Sequence, residues 1–385
     1  MAIHRRIVFA RPAHTPRTKA ELPVENLVKT PLSDWNRSHG AKMVPFAGFD
    51  MPVQYASILA EHEQTRTKAA VFDICHMGEF YLSGSGAAAA LGTAVTHDLD
   101  TLAPGKCRYG FLLAADGGVV DDLIIYCLAQ DEYMLVVNGA RIAVDFETIR
   151  SRLPQGLKFV DASPETAKID LQGPLAYDVL AARVPGDFSG LKYFNFAFTD
   201  FAGGKLMVSR TGYTGELGYE LFLPATKAVE LWEAFVADPR VAPAGLGARD
   251  TLRLEMGYPL YGQDLDEAHT PAEAGYGWLL TSPAAYVGKE GAGVVRQKLV
   301  ALEIPGRRSA RHGDIVCDRN GAEVGVVTSA SFGPSLGHAV ALAYVDAAAA
   351  EAKDFRIRAA RTELAATRRA LPFYKAGTAP KSVGV

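Results

Sequence analysis

Between Arg210 and Leu221 the chain reads Arg-Thr-Gly-Tyr-Thr-Gly-Glu-Leu-Gly-Tyr-Glu-Leu. Glycine at every third position (212, 215 and 218) marks backbone that must take φ > 0 or let another group approach closely. Lys205–Ser209 before it and Tyr219–Leu223 after it read as strands, so the stretch is a hairpin with an irregular tip. Glu220 lies on the strand face opposite Leu221 and must be solvated or paired. Two readings stand at this point. One is a wet hairpin with surface glutamates. The other is a glycine-shaped cleft in which Glu220 accepts a fork of N–H donors from a ligand.

At 385 residues the chain exceeds one ordinary core, and two or three domains are expected. A hydrophobic content of 49% with 22% charged residues is that of a soluble globular protein. The formal charge of −3 and the lack of a basic run with interleaved aromatics argue against nucleic-acid binding. No apolar run reaches the ~18 residues that a membrane helix requires. The cysteines (75, 107, 127 and 317) lack CxxC or Cys/His spacing, which predicts reduced thiols in an intracellular compartment and no metal. His312 and His338 read as surface histidines. No dinucleotide or phosphate-loop fingerprint occurs, which disfavours nucleotide-dependent chemistry. Residues 1–30 are Arg-rich, with no acid before Glu21. They read as a disordered extension, giving a cytoplasmic protein, or as an organelle transit peptide, giving a mitochondrial-matrix one.

From Pro31 the texture is compact. A helix is expected over 56–70 with Glu61, Glu63, Arg66 and Lys68 on its wet side, then a strand over Val71–Phe80. His76 in that strand reads as a base or, more simply, as a satisfied polar residue. Tyr109–Leu113, Asp116-Gly-Gly118 and Val119–Tyr126 form a hairpin signal. Asp121 and Asp122 are adjacent in an apolar strand, so they point to opposite faces. One is expected to cap or face water, and the other becomes a candidate functional acid. Tyr133–Val137 is a further strand, ending at Asn138-Gly139. Leu171–Pro174 is read as a turn opening a helix. Helices follow over 225–237, with Val229, Trp232, Phe235 and Val236 at apolar spacing, and over 245–256. There Arg249, Arg253, Asp250 and Glu255 read as a solvated charge network. Short alternating strands from Leu299 onward suggest a small β-barrel, with a boundary near residue 290.

Taken in order, these motifs resemble the folate-dependent aminomethyltransferase (T-protein) family of the glycine cleavage system. The stretches that carry the resemblance are Phe46-Ala-Gly-Phe with Met51-Pro-Val-Gln-Tyr, Phe72-Asp-Ile-Cys-His-Met-Gly, and Gly117-Gly-Val-Val-Asp-Asp-Leu-Ile. Leu171-Gln-Gly-Pro, Arg210-Thr-Gly-Tyr-Thr-Gly-Glu, Gly247-Ala-Arg-Asp-Thr-Leu-Arg-Leu-Glu and Leu260-Tyr-Gly-Gln-Asp-Leu-Asp-Glu follow, then Pro334-Ser-Leu-Gly and Leu371-Pro-Phe. The likeness spans about Pro31 to Phe373. The fold it implies is α+β, a multidomain ring of two mixed α/β folate-binding subdomains plus a small C-terminal β-barrel. The expected segments are an extension over 1–30, an interleaved folate-binding region over 31–290, the barrel over 291–376 and a tail over 377–385.

The resemblance implies tetrahydrofolate as co-substrate and the lipoylated H-protein as the partner that carries the aminomethyl group. It places the pterin-holding glutamate at Glu220 and a folate-contacting amide at Asn138. Met77, Tyr109 and Tyr213 fall on the folate pocket, and Asp122 and Arg249 on the catalytic positions. A carboxylate there would stabilise developing positive charge and take a proton from the attacking nitrogen, held ionised by the nearby Arg249. Two relatives remain as alternatives, a folate-dependent demethylase acting on another one-carbon donor and a non-catalytic folate-binding protein. The chain departs from the family pattern at Cys75, Leu217 and His338, where serine, an acid and lysine are usual. Cys75 reads as a small buried substitute for serine or as a reactive thiol.

Overall fold

The computed structural model describes residues 27–360 and 362–379. The transit-peptide and extension readings of residues 1–26 lie outside these, as do residues 380–385 of the expected tail. Residues 28–30 belong to the fold. Val28–Lys29 pairs in parallel with Phe49–Asp50, and the buried Thr30 hydroxyl donates to Asp73 at 2.7 Å.

The expected α+β architecture with a C-terminal barrel is what forms. A six-stranded sheet runs in the order Phe196–Phe201, Gly204–Ser209, Gly218–Pro224, Thr166–Gln172, Ala69–Asp73, Val241–Ala244. A five-stranded sheet runs Lys106–Leu113, Val119–Ala129, Glu132–Val137, Gly78–Ser83, Lys158–Asp161. The chain enters the first sheet at Ala69, leaves at Asp73 to build the second, and returns at Thr166. That crossover explains why the single strand expected over Val71–Phe80 is two, broken at Ile74–Met77. A closed six-stranded barrel occupies Gln297–Arg369.

Alternation along two central strands sets the layers. Ala167, Ile169 and Leu171, with Tyr219, Leu221 and Leu223 beside them, enter one core under the helices Ala176–Arg183 and Ala228–Val236. Their opposite faces carry Lys168, Asp170 and Gln172, and Glu220 and Phe222. Phe222 packs with Cys107, Tyr126, Met134 and Val136 of the five-stranded sheet, so the two sheets meet face to face. The site lies at that seam.

Three helical readings change. The helix expected over 56–70 is Ile58–Thr67, capped by the Ser57 hydroxyl. Of its expected wet side, Glu63 and Lys68 are exposed, but Glu61 and Arg66 are drawn into the fold. Glu61 is 3% exposed, and its carboxylate accepts from the backbone N–H groups of Tyr55, Ala56 and Gly245, which stands at the N-cap of the helix Leu246–Met256. Arg66 bridges Glu216 and Glu255 at 2.8 and 2.9 Å. In Ala228–Val236 the buried stripe is Ala228, Leu231, Trp232 and Phe235, with Val229 turned outward. The charges of Leu246–Met256 are no solvated network. Arg253 is 1% exposed and donates to Asp250, Asp264 and Ser329, tying this helix to the barrel, while Glu255 is fully buried.

Candidate active site

Asp121 and Asp122 do point to opposite faces. Asp122 faces the seam, where its Oδ2 accepts from the Tyr109 hydroxyl at 3.0 Å. Its Oδ1 accepts from the Asn138 side-chain amide at 2.9 Å. Asp121 faces the helix Ile142–Arg152 and is fully buried, so of the two alternatives expected for one of the pair, capping or facing water, Asp121 does not face water and Asp122 is the partly exposed one. Asn138, at the end of its strand, reaches both. Its backbone N–H and Nδ2 donate to Asp121 at 3.0 and 2.9 Å.

Behind Asp121 lies Asp145, also fully buried, with both oxygens out of reach of any donor. The nearest cation, Arg141 Nε, stands 4.0 Å from Oδ1, beyond hydrogen-bond range. The Asp121 carboxyl is the close acidic neighbour of Asp145, and a proton on one of the two lets them share a hydrogen bond. Burial and then the charge of Asp121 push Asp145 far up. Burial first and Asp121 second push Asp122 up to about 7. Asp122 is therefore not held ionised by Arg249, as the resemblance suggested. Its neighbours are a phenol, an amide and another acid.

Across the seam the charges are paired. Glu220 and Asp170 stand directly opposite each other on neighbouring strands. Glu220 is 4% exposed; Lys168 Nζ approaches its Oε1 at 2.9 Å and the Thr211 hydroxyl donates to its Oε2 at 2.6 Å. Burial raises this carboxyl, but Lys168, Thr211 and Arg249 together bring it below its ordinary value. Arg249 Nη1 donates to Asp170 at 2.6 Å, and its guanidinium lies 4.9 Å over the Tyr213 ring. Met77 Sδ lies 3.3 Å from Lys168 Nζ. Glu220 is thus paired rather than solvated, which removes the wet-hairpin reading.

The glycine-rich loop closes this centre. Gly215 takes φ +81°, while Gly212 and Gly218 press on Gln172, where a Cβ would come within 2.3 and 2.2 Å of its side chain. Gln172 in turn donates to Thr211 O at 3.1 Å and accepts from Thr214 Oγ1 at 2.7 Å. A clasp from beyond the barrel holds the loop from outside. Thr378 Oγ1 donates to Glu216 at 2.5 Å and accepts from the Leu217 N–H at 2.8 Å, and the Ala379 N–H donates to Gly215 O at 3.1 Å.

The seven residues given site roles fall in two groups, one on each side of the seam. Hydrogen bonds join Tyr109, Asp122 and Asn138, and the Arg249–Tyr213 stack leads to Asp170, Glu220, Lys168 and Met77. The fields of Asp122 and Arg249 both reach the Tyr213 hydroxyl. Two surface clefts, one lined by Gly84 and Gln130–Glu132 and one by Asp318–Asn320 and Asp354, share no residue with either group.

The chain matches known proteins over most of its length. Residues 32–282 match the family model of the GCVT N-terminal domain, and residues 297–375 that of the glycine cleavage T-protein C-terminal barrel domain. The chain belongs to the glycine cleavage T-protein family. An aminomethyltransferase of Halothermothrix orenii is 43% identical over 329 residues, covering 82% of this chain and 91% of that protein. One of Deinococcus deserti is 40% identical, covering 92% and 99%. The crystal structure of the glycine cleavage system aminomethyltransferase T from Bartonella henselae superposes with a TM-score of 0.86 at 32% identity, over 91% of this chain and 99% of that one. These relatives favour an aminomethyltransferase over the demethylase and the non-catalytic reading.

Against the T-protein pattern, the departures have simple surroundings here. The Cys75 thiol is buried, donates to Lys168 O at 3.3 Å and is pushed well up by burial, which suits a substitute for serine and not a reactive thiol. Leu217 is buried beneath the clasp. His338 is partly exposed beside Glu303. His76 is buried among Phe46 and Phe49, and burial pushes it down to about 3, so it is a poor base. Sequence reading missed Lys168, Asp170, Thr211 and Asp145. The signal for the first two was present: Lys168-Ile-Asp-Leu-Gln172 alternates polar and apolar residues in what proves to be a central strand.

Proposed function

We propose that this chain is a tetrahydrofolate-dependent aminomethyltransferase, taking the one-carbon unit from the aminomethyl-lipoyl arm of the H-protein and releasing ammonia to give 5,10-methylenetetrahydrofolate. Family membership supports the reaction class. The observation that carries the site is Asp122, a partly exposed carboxyl between Tyr109 and Asn138, pushed up to about 7. An acid with that affinity for protons changes charge near neutral pH, which is what a group exchanging a proton during turnover requires.

The residues present fit a folate. Each oxygen of Glu220 keeps one acceptor site after Lys168 and Thr211 are served, enough for the paired amino and ring N–H edge of a pterin. Met77, Tyr109 and Tyr213 supply flat apolar and aromatic walls, and Asn138 an amide. When bound, tetrahydrofolate supplies the nitrogen nucleophiles that take up the one-carbon unit. Asp122 Oδ2, next to the Tyr109 hydroxyl, accepts a proton from the attacking nitrogen and faces the positive charge that develops as ammonia leaves. Arg249, held by Asp170 and stacked on Tyr213, positions that ring and adds to the field that keeps Glu220 ionised.

The test is ammonia release and methylenetetrahydrofolate formation from aminomethyl-loaded H-protein plus tetrahydrofolate. Turnover that depends on both is expected. Folate binding without turnover, with turnover appearing on a methylated amine donor instead, would replace this reading by the demethylase.

A further inference from the structure

Lys168 has no role in the chemistry above, yet it is among the most deeply buried charges in the molecule. It is 1% exposed, on a central strand, and its ammonium lies between Glu220 Oε1 at 2.9 Å and Met77 Sδ at 3.3 Å, 5.3 Å from the centre of the Phe222 ring. Burying an ammonium costs several kcal/mol unless it is closely paired. An apolar residue of similar length would fill the same space without that cost, so the charge needs an explanation in the site.

The groups facing Lys168 supply one. Glu79, on the interior strand Gly78–Ser83 of the five-stranded sheet, is buried with one oxygen unpartnered, and burial pushes it well up, so it is neutral. His76 is neutral for the reason given above. Tyr126 and Cys107 are pushed up by burial and are neutral as well. The groups that remain are Glu220, Arg249 and Asp170. Burial pushes Asp170 up to about 7 against the pull of Arg249 at 2.6 Å, so it changes charge near neutrality, and Glu220 is the carboxylate of this cluster that Lys168 contacts directly.

We infer that Lys168 is a positioning residue of the ligand site, one that pins Glu220 from below and neutralises it in place, so that the carboxylate presents an acceptor edge suited to an uncharged pair of N–H donors. The inference rests on the folate reading for the identity of the ligand, and not for the state of Glu220. Without Lys168 the buried carboxylate would either take up a proton and present a donor where an acceptor is needed, or favour a cationic ligand over a neutral one. The Thr211 hydroxyl fixes the second oxygen, which leaves the remaining acceptor sites aimed together.

The test compares the wild-type chain with Lys168→Met, using 5-formyltetrahydrofolate as an air-stable folate probe and calorimetry between about pH 6 and 8. Taking the ratio of the two affinities at each pH cancels the titration of Asp122, which both chains share, and carrying Asp170→Asn in both chains removes that of Asp170, which burial pushes up to about 7. The variant should bind about tenfold or more weakly at the acid end and recover as pH rises, because Glu220 now ionises within the range. A ratio that stays within about twofold and does not change with pH would overturn the inference. Lys168→Gln, which keeps a donor but removes the charge, serves if Lys168→Met does not fold, and should lose affinity in the same sense. A second readout needs no ligand. The side-chain carboxyl ¹³C resonance of Glu220, assigned by its loss in Glu220→Gln, should not titrate in the wild type over this range and should titrate in the lysine variant. If the wild type fails to bind the probe, the folate reading falls, while the resonance still decides the role of Lys168. A resonance that behaves identically in both chains would remove it.

Discussion

Two acidic centres face each other across the seam, and they are built on opposite rules. In one, Asp121, Asp122 and Asp145 crowd together with an amide and a phenol for company, and all three carboxyls are pushed up. In the other, Glu220 sits equally deep but has an ammonium and a hydroxyl in contact and a guanidinium nearby, and is pulled down. Burial is common to both, so burial does not decide the charge state. The full set of partners does: Asp170, with one guanidinium at 2.6 Å, is still pushed up to about 7 by burial, while Glu220, with an ammonium, a hydroxyl and the same guanidinium nearby, is brought down. One centre is arranged to hold and hand over protons, the other to keep Glu220 an anion.

The contrast can be broken at Asp122 first. Asp122→Asn should lower turnover by about 10²-fold or more while folate affinity stays within about tenfold. In the wild type, kcat/KM should rise with pH through about 7, since the base must be deprotonated, and the variant should lose that limb. Steady-state rates across pH decide it, and an active variant would take the proton-handling role away from this centre.

Glu220→Gln attacks the other side. It replaces half of an anionic acceptor with a donor and should cost about 2 kcal/mol of folate affinity, roughly 30-fold. Calorimetry showing unchanged affinity would move the ligand's donor edge elsewhere. The same chemical change at Asp145 should behave differently, because that acid is already neutral. Its folded-state affinity for protons lies above the ordinary carboxylate value, so its stabilising contribution is full at acid pH and declines as pH rises. Asp145→Asn keeps a donor for Asp121 and lacks this slope. Its stability relative to wild type in urea should increase by up to about 1.4 kcal/mol per pH unit from about pH 5 to 8. A difference that is flat or shrinks with pH would show Asp145 to be an anion, and the two centres to be alike.

Strands and barrel were legible in the sequence because strict alternation and turn residues betray them. The hairpins around Asp116–Gly118 and Gly212–Gly218, and the face opposition of Asp121 and Asp122, follow from periodicity alone. What periodicity hides is the identity of the layer a polar face meets. Glu61, Arg66, Arg253 and Glu255 look like wet helix charges in one dimension, and they are buried because other segments fold over them. Asp145 is the same case, an acid on a helix whose partner lies 24 residues back in a strand. The pairing of Asp122 with Arg249 that the resemblance implied does not form. It fails because Arg249 has a nearer carboxylate in Asp170, on a strand whose alternation had gone unread.

The clasp over the glycine-rich loop has a consequence for how the molecule is made. Glu216 and Thr378 are 162 positions apart, with the whole barrel between them. Synthesis runs from the N-terminal end, so the hairpin that carries Glu220 exists for most of translation without the segment that locks it. The loop can reach its final shape only after the barrel strands have been completed and the chain has doubled back. The ligand-facing loop is therefore the part of the seam that is fastened last.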